Sequence, residues 1–193
     1  MTNRQRYEAV VIGASLGGLA LLKGLLPALP ADYPLALILV QHLGPQAEST
    51  LAALLDRCCA IRVKEADEKE PIRPATLYVA PANYHLLVER DRSFSLSVDE
   101  RVNYARPAID VLFESAADAY GPALVGLVLT GANADGALGL RAIRARGGLA
   151  VVQDPATAEA PAMPRAAIAQ ARPQRVLAPA AIEALLLELA RKG

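Results

Sequence analysis

The order of segments along the chain predicts an α/β fold: a doubly wound, mostly parallel sheet with helices on both faces and one added antiparallel hairpin. Three observations carry that expectation. Short runs that are apolar throughout, such as EAVVIG (residues 8–13), LALILVQ (35–41) and ALVGLVLT (123–130), read as strands buried on both faces. Stretches with helical periodicity stand between them. One segment, residues 86–98, instead alternates apolar and polar residues around a central RDR, the pattern of a hairpin.

Taken in order, the first strand ends in glycine and is followed by SLGGLALLKGLLPAL, a helix running to near Pro27. The second strand delivers His42, and residues 46–58 read as a helix. Residues 61–64 and 77–80 are short strands, the hairpin follows, and residues 107–120 form a helix with proline in its first turn. After the strand at 123–130 come a helix at 137–146, a strand around Val151 and Val152, a helix at 164–171 and a short strand at 174–177. An amphipathic helix at 180–192 closes the series.

Composition narrows the function. The 193 residues carry 20 basic and 20 acidic side chains, and 53% are apolar. A chain of this size and hydrophobicity builds a single core, and disorder is excluded. Zero net charge without a basic run offers no electrostatic footing for nucleic acid or an anionic membrane. No stretch of about 18 apolar residues suggests a membrane span, and the polar start does not resemble a signal peptide. The expected setting is cytoplasmic, with no direct membrane insertion. There are only two cysteines, Cys58 and Cys59, and two histidines, His42 and His85. A multi-histidine metal cluster is thereby excluded, and neither a metal nor a cofactor is expected.

Ligands of such sheets bind at the carboxyl ends of the strands. Three strand ends there offer Ser15, His42 and Asp135. The turn VVIGASLGGLALL has Ser15 where a dinucleotide fingerprint needs its second glycine, and it lacks the Lys-Ser or Lys-Thr of a phosphate loop. It fits GxSxG through Gly13, Ser15 and Gly17, a strand–turn–helix that exposes a serine hydroxyl. The helix N-terminus that follows, at Leu16 and Gly17, has N–H groups suited to an oxyanion. Each residue also has a plainer reading. Ser15 suits a helix N-cap, His42 a satisfied strand-end polar residue, and Asp135 the N-cap of the helix at 137–146. His85, at the mouth of the hairpin, is a second candidate base. Arg106, ahead of the helix at 107–120, is a candidate carboxylate binder or a plain surface arginine.

Together these segments resemble the catalytic domain of the chemotaxis protein-glutamate methylesterases of the CheB type. The resemblance rests on VIGASLGG, VQHLGP and VLTGANADGALG, with VKEADEKEPIRP, LYVAPANYHL, RPAIDVLFES and APAMPRAAI in the family's order between residues 10 and 168. It implies Ser15 as nucleophile, His42 as general base and acid, and Asp135 as the group orienting the imidazole. The implied reaction is hydrolysis of glutamate γ-methyl esters on the cytoplasmic domains of transmembrane chemoreceptors, releasing methanol, with deamidation of glutamine by the same acyl chemistry in some members. The chain would then be a catalytic domain over residues 1–193, without the phosphorylation-receiving domain common in the family. Three positions depart from the family pattern. Leu16 stands where threonine is usual and brings no hydroxyl. Ala132 and Asn133 replace Met and Gly of TGMGxDG, which bears on an oxyanion donor at Ala132 and on pocket shape. Gly44 follows in QHLG where QHMP is usual. Two other function classes stay open: a catalytically impaired adaptor that binds receptor helices, and a nucleotide-binding module.

Overall fold

The computed structural model describes residues 6–42 and 50–191. Seven strands form one sheet in the order β3-β4-β2-β1-β7-β8-β9, comprising β1 (Ala9–Ala14), β2 (Ala36–Gln41), β3 (Arg62–Glu65), β4 (Thr76–Val79), β7 (Leu124–Val128), β8 (Leu149–Gln153) and β9 (Arg175–Leu177). Every ladder in it is parallel. The runs of valine, isoleucine and leucine explain why. Each residue of β1, β2 and β7 is buried, so both faces of these strands must be covered, and only crossover helices can do that.

The coverage divides by strand alternation. Val10, Ile12, Leu37 and Leu39 point to one face. There they meet α1 (Gly18–Leu25), α2 (Leu51–Asp56) and α6 (Pro179–Ala190) through Leu22, Leu51, Leu55, Ile182 and Leu186. Ala9, Val11, Ile38 and Val40 point to the other face. They meet α3 (Ile109–Tyr120), α4 (Ala137–Ala145) and α5 (Ala162–Ala171) through Leu112, Phe113, Leu140, Ile143 and Met163.

The expected hairpin is present, and one helix is shorter than expected. The hairpin, β5 (His85–Val88) and β6 (Phe94–Ser97), is a separate two-stranded antiparallel sheet that is not bonded to the parallel one. It joins the α3 side of the core through Leu86, Val88 and Phe94. The helix expected at 46–58 is helical over Leu51–Asp56; its positions 46–49, together with Gly44 and Lys192, lie outside the described residues.

The topology determines where a ligand can enter. Strand β1 lies between β2 and β7, and the chain leaves β1 toward α1 on one face but leaves β7 toward α4 on the opposite face. The two loops part at the carboxyl end of the sheet and leave a crevice, as the rule for open α/β sheets requires.

Candidate active site

Backbone register brings the three strand ends together. The last β1–β2 pair is Ala14 with Gln41, and the ladder runs one step further as His42 N–H donates to Ala14 O at 2.9 Å. On the other side Ser15 N–H donates to Thr130 O at 2.9 Å. Ser15 is thus stitched between the ends of β2 and β7. Gln41 tightens the junction, its Nε2 donating to Ser15 O at 2.7 Å and His42 O at 2.9 Å. Close approach needs glycine at 131, where a Cβ would come within 2.9 Å of Ser15 Cβ and 2.7 Å of the Met163 side chain.

Ser15 does not cap the helix. The N-cap of α1 is Gly17, with φ 81°, and no side chain caps it. Such a left-handed residue strains anything but glycine, so the turn of GxSxG is built on Gly17. The Ser15 hydroxyl is left facing a cleft of about 430 Å³, whose lining includes His42, Asn103, Tyr104, Arg106 and Asn133. Leu16 is 56% exposed, and Ala132 is also exposed, each next in the chain to a cleft-lining residue.

Asp135 corrects its plainer reading. It does not cap α4, whose N-cap is Gly136 with φ 91° and no side-chain cap. Its carboxylate turns instead to the start of α3, accepting from Ile109 N–H at 2.7 Å and Asp110 N–H at 3.0 Å. Asn103 Nδ2 and Gly136 N–H, each at 3.0 Å, complete the shell. Asp110 reciprocates: from the first turn of α3 its Oδ1 accepts from Gly139 N–H near the start of α4 at 2.7 Å. The two helices thus supply each other's missing N-terminal acceptors. Asn103 bridges the pair, its Nδ2 also reaching Asp110 Oδ2 at 2.9 Å.

These partners decide the charge. Burial raises the energy of Asp135's ionised form. The contact with His42, the two backbone N–H groups of α3 and the Asn103 amide outweigh it and hold the carboxyl below the usual range. Asp110 moves the other way: burial pushes its carboxyl up, and the Asp135 charge adds to that against its own N–H bonds. Of the two neighbouring carboxyls, the one facing His42 is the one built to stay ionised.

His42 Nε2 lies 2.9 Å from Asp135 Oδ2, in ion-pair range but off the axis of an ideal ring N–H bond. Such looseness is common in catalytic pairs without substrate. With Nε2 toward a carboxylate, that nitrogen carries the proton and Nδ1 presents its lone pair. Asn133 Nδ2 sits on Nδ1 at 3.3 Å.

The remaining candidates separate. His85 does not line the cleft. It is buried within β5, its Nδ1 accepting from Ala108 N–H at 3.2 Å and its Nε2 bonded to Glu100 O at 2.9 Å. Arg106 does line the cleft, while its Nη1 is spent on Val98 O and Asp99 O at 2.7 and 3.0 Å. Among the described residues no group of three or more His, Cys, Asp or Glu side chains could hold a metal ion, and no helix is long and apolar enough to cross a membrane. Sequence reasoning missed Gln41 as a brace and Asn103 as the bridge between carboxylates. Polar residues in strand ends and loops carry no periodic signal, although Asn103 does sit just before the quoted RPAIDVLFES block.

Residues 10–186 match the CheB methylesterase family model. The chain belongs to the CheB methylesterase family. A Leptospira interrogans protein, provisionally named a protein-glutamate methylesterase/protein-glutamine glutaminase, is 50% identical over 183 residues covering 95% of each chain. The Symbiobacterium thermophilum protein of that name is 38% identical over 91% of this chain, which spans about half (48%) of that relative. The crystal structure of the Thermotoga maritima CheB methylesterase catalytic domain superposes with a TM-score of 0.90 at 32% identity, covering 95% of this chain and 98% of that one. The doubly wound α/β expectation and the resemblance are both borne out.

Proposed function

We propose that this chain is a serine esterase that hydrolyses glutamate γ-methyl esters on the cytoplasmic domains of chemoreceptors, with Ser15, His42 and Asp135 as its catalytic residues. The observation that carries the reading is the polarised imidazole. A buried, ionised Asp135 faces Nε2 of His42, so Nδ1 is left as the basic nitrogen in the crevice that Ser15 enters. Ser15 Oγ attacks the γ-carbonyl while Nδ1 takes its proton, and Asp135 stabilises the imidazolium. The N–H groups of Leu16 and Gly17 at the start of α1 are the candidate oxyanion donors, with Ala132 N–H across the cleft mouth. Collapse of the tetrahedral intermediate returns the proton to the departing methoxide as methanol. A water, deprotonated at the same nitrogen, then cleaves the acyl-enzyme to glutamate, and the imidazolium returns that proton to the departing Ser15 Oγ. Glutamine deamidation follows the same path with ammonia leaving. Arg106 and Arg101 put positive charge at the cleft, where the product carboxylate forms.

No cofactor or metal enters this chemistry. The cytoplasmic setting and the catalytic domain at 1–193 belong to the same proposal. The nucleotide-binding reading has no support in the site, where Gln41 and His42 end the strand that would need an acidic residue for the ribose. The adaptor reading differs in one outcome. The test is methanol release from a methylated receptor cytoplasmic fragment by the wild type and by Ser15→Ala, with an expected loss on the order of 10⁴ to 10⁶. Receptor binding without hydrolysis by the wild type would favour the adaptor instead.

A further inference from the structure

Asn133 stands where the resembled family pattern has glycine, and its side chain is not free to choose its orientation. Its Oδ1 accepts from Asp135 N–H at 3.1 Å, an Asx-type turn that leaves Nδ2 as the outward group. Nδ2 then meets His42 Nδ1 at 3.3 Å. Since Nε2 faces Asp135, Nδ1 is the lone pair that must receive the Ser15 proton. A ring nitrogen accepts one good hydrogen bond, and here it goes to the amide; among the described residues none joins the Ser15 hydroxyl to the ring.

We infer that Asn133 is a positioning residue that latches the resting enzyme: it holds His42 in the Nε2–H tautomer while occupying the nitrogen that Ser15 needs. The inference rests on the proposed triad. Release requires another acceptor for Nδ2, and the carbonyl oxygen of an ester or amide entering the cleft is one. Nδ2 then passes from imidazole to substrate, and the Ser15 hydroxyl takes its place on Nδ1. Protons balance, because the amide keeps both hydrogens throughout and only Ser15 gives one up. The latch couples base activation to the arrival of a carbonyl. It suppresses reaction with compounds that bring no acceptor to Nδ2.

The test uses two substitutions and two readouts that a merely structural residue would not move in opposite directions. Asn133→Ala removes the donor, and acylation of Ser15 by a fluorophosphonate at neutral pH should quicken by about 2- to 10-fold, the weight of one neutral hydrogen bond. Asn133→Asp keeps the Asx turn but presents an acceptor, so acylation should slow. The ¹⁵N spectrum of the imidazole, assigned against His85→Leu, should then show a second His42 proton, on Nδ1, beside the one that Asp135 holds on Nε2. Wild-type Ser15 that reacts, with Asn133→Ala no faster, overturns the latch and leaves the triad standing. A His42 Nδ1 that stays unprotonated in Asn133→Asp overturns the contact itself. Ser15 that reacts in neither wild type nor Asn133→Ala overturns the latch together with the triad.

Discussion

The two histidines sit about as differently as two imidazoles in one domain can. His85 is 2% exposed, and both its ring nitrogens are committed to backbone, one to Ala108 N–H and one to Glu100 O. It does the work of a capping residue, holding the entry to α3 where the N-cap residue Ala108 has no side chain to offer. His42 also has both nitrogens engaged, but by side chains, a carboxylate on one and an amide on the other. Backbone partners are fixed by the fold, whereas a side-chain amide can be exchanged for a substrate atom. Proton transfer needs a nitrogen whose partner can leave, and only His42 has one.

The largest expected effect breaks the comparison at its functional end. His42→Ala should lower methanol release by about 10⁴-fold or more with the fold intact, as removal of a triad member does. Added imidazole should restore part of the rate there and none in a His85 variant. Asp135→Asn comes next. It should cost roughly 10⁴ in turnover by favouring the wrong tautomer. It should also destabilise the start of α3, since the amide cannot accept from all the donors that the carboxylate serves.

At the structural end, His85→Leu keeps the bulk but strands Ala108 N–H and Glu100 O. A loss of about 2–4 kcal/mol follows, seen as a melting temperature lower by roughly 5–15 °C, with turnover per folded molecule near wild type. The smallest effect is in pH. Asp135's carboxyl is lowered in the fold, so its stabilisation is present above the unfolded carboxylate value of about 4 and fades as pH falls through its lower native value. Asp110 is raised, so its ionisation opposes folding above the same point. Urea titrations between pH 5 and 3 should therefore show Asp135→Asn losing stability less steeply than wild type.

Much of this is legible in the sequence. Buried runs such as EAVVIG and ALVGLVLT require a doubly covered sheet, and the strand-end rule pointed to Ser15, His42 and Asp135 as one crevice. Local propensity misjudged two capping roles. Asp135 before GALGLRAI has the look of a cap for α4, yet it serves α3, 26 residues upstream in its bond to Ile109. His85 reads as a second candidate base from its place at the hairpin mouth, whereas the hairpin packs against α3 and buries it. Both errors concern which distant backbone a side chain meets. Periodicity along the chain cannot carry that information, because capping across elements depends on tertiary approach.

The most direct test of the account is the rate at which a fluorophosphonate acylates Ser15, read by intact mass, in His42→Gln and His85→Leu at equal folded concentration. Labelling should collapse in His42→Gln and persist near the wild-type rate in His85→Leu, which only melts earlier. Labelling that survives loss of His42 and fails with loss of His85 would contradict it.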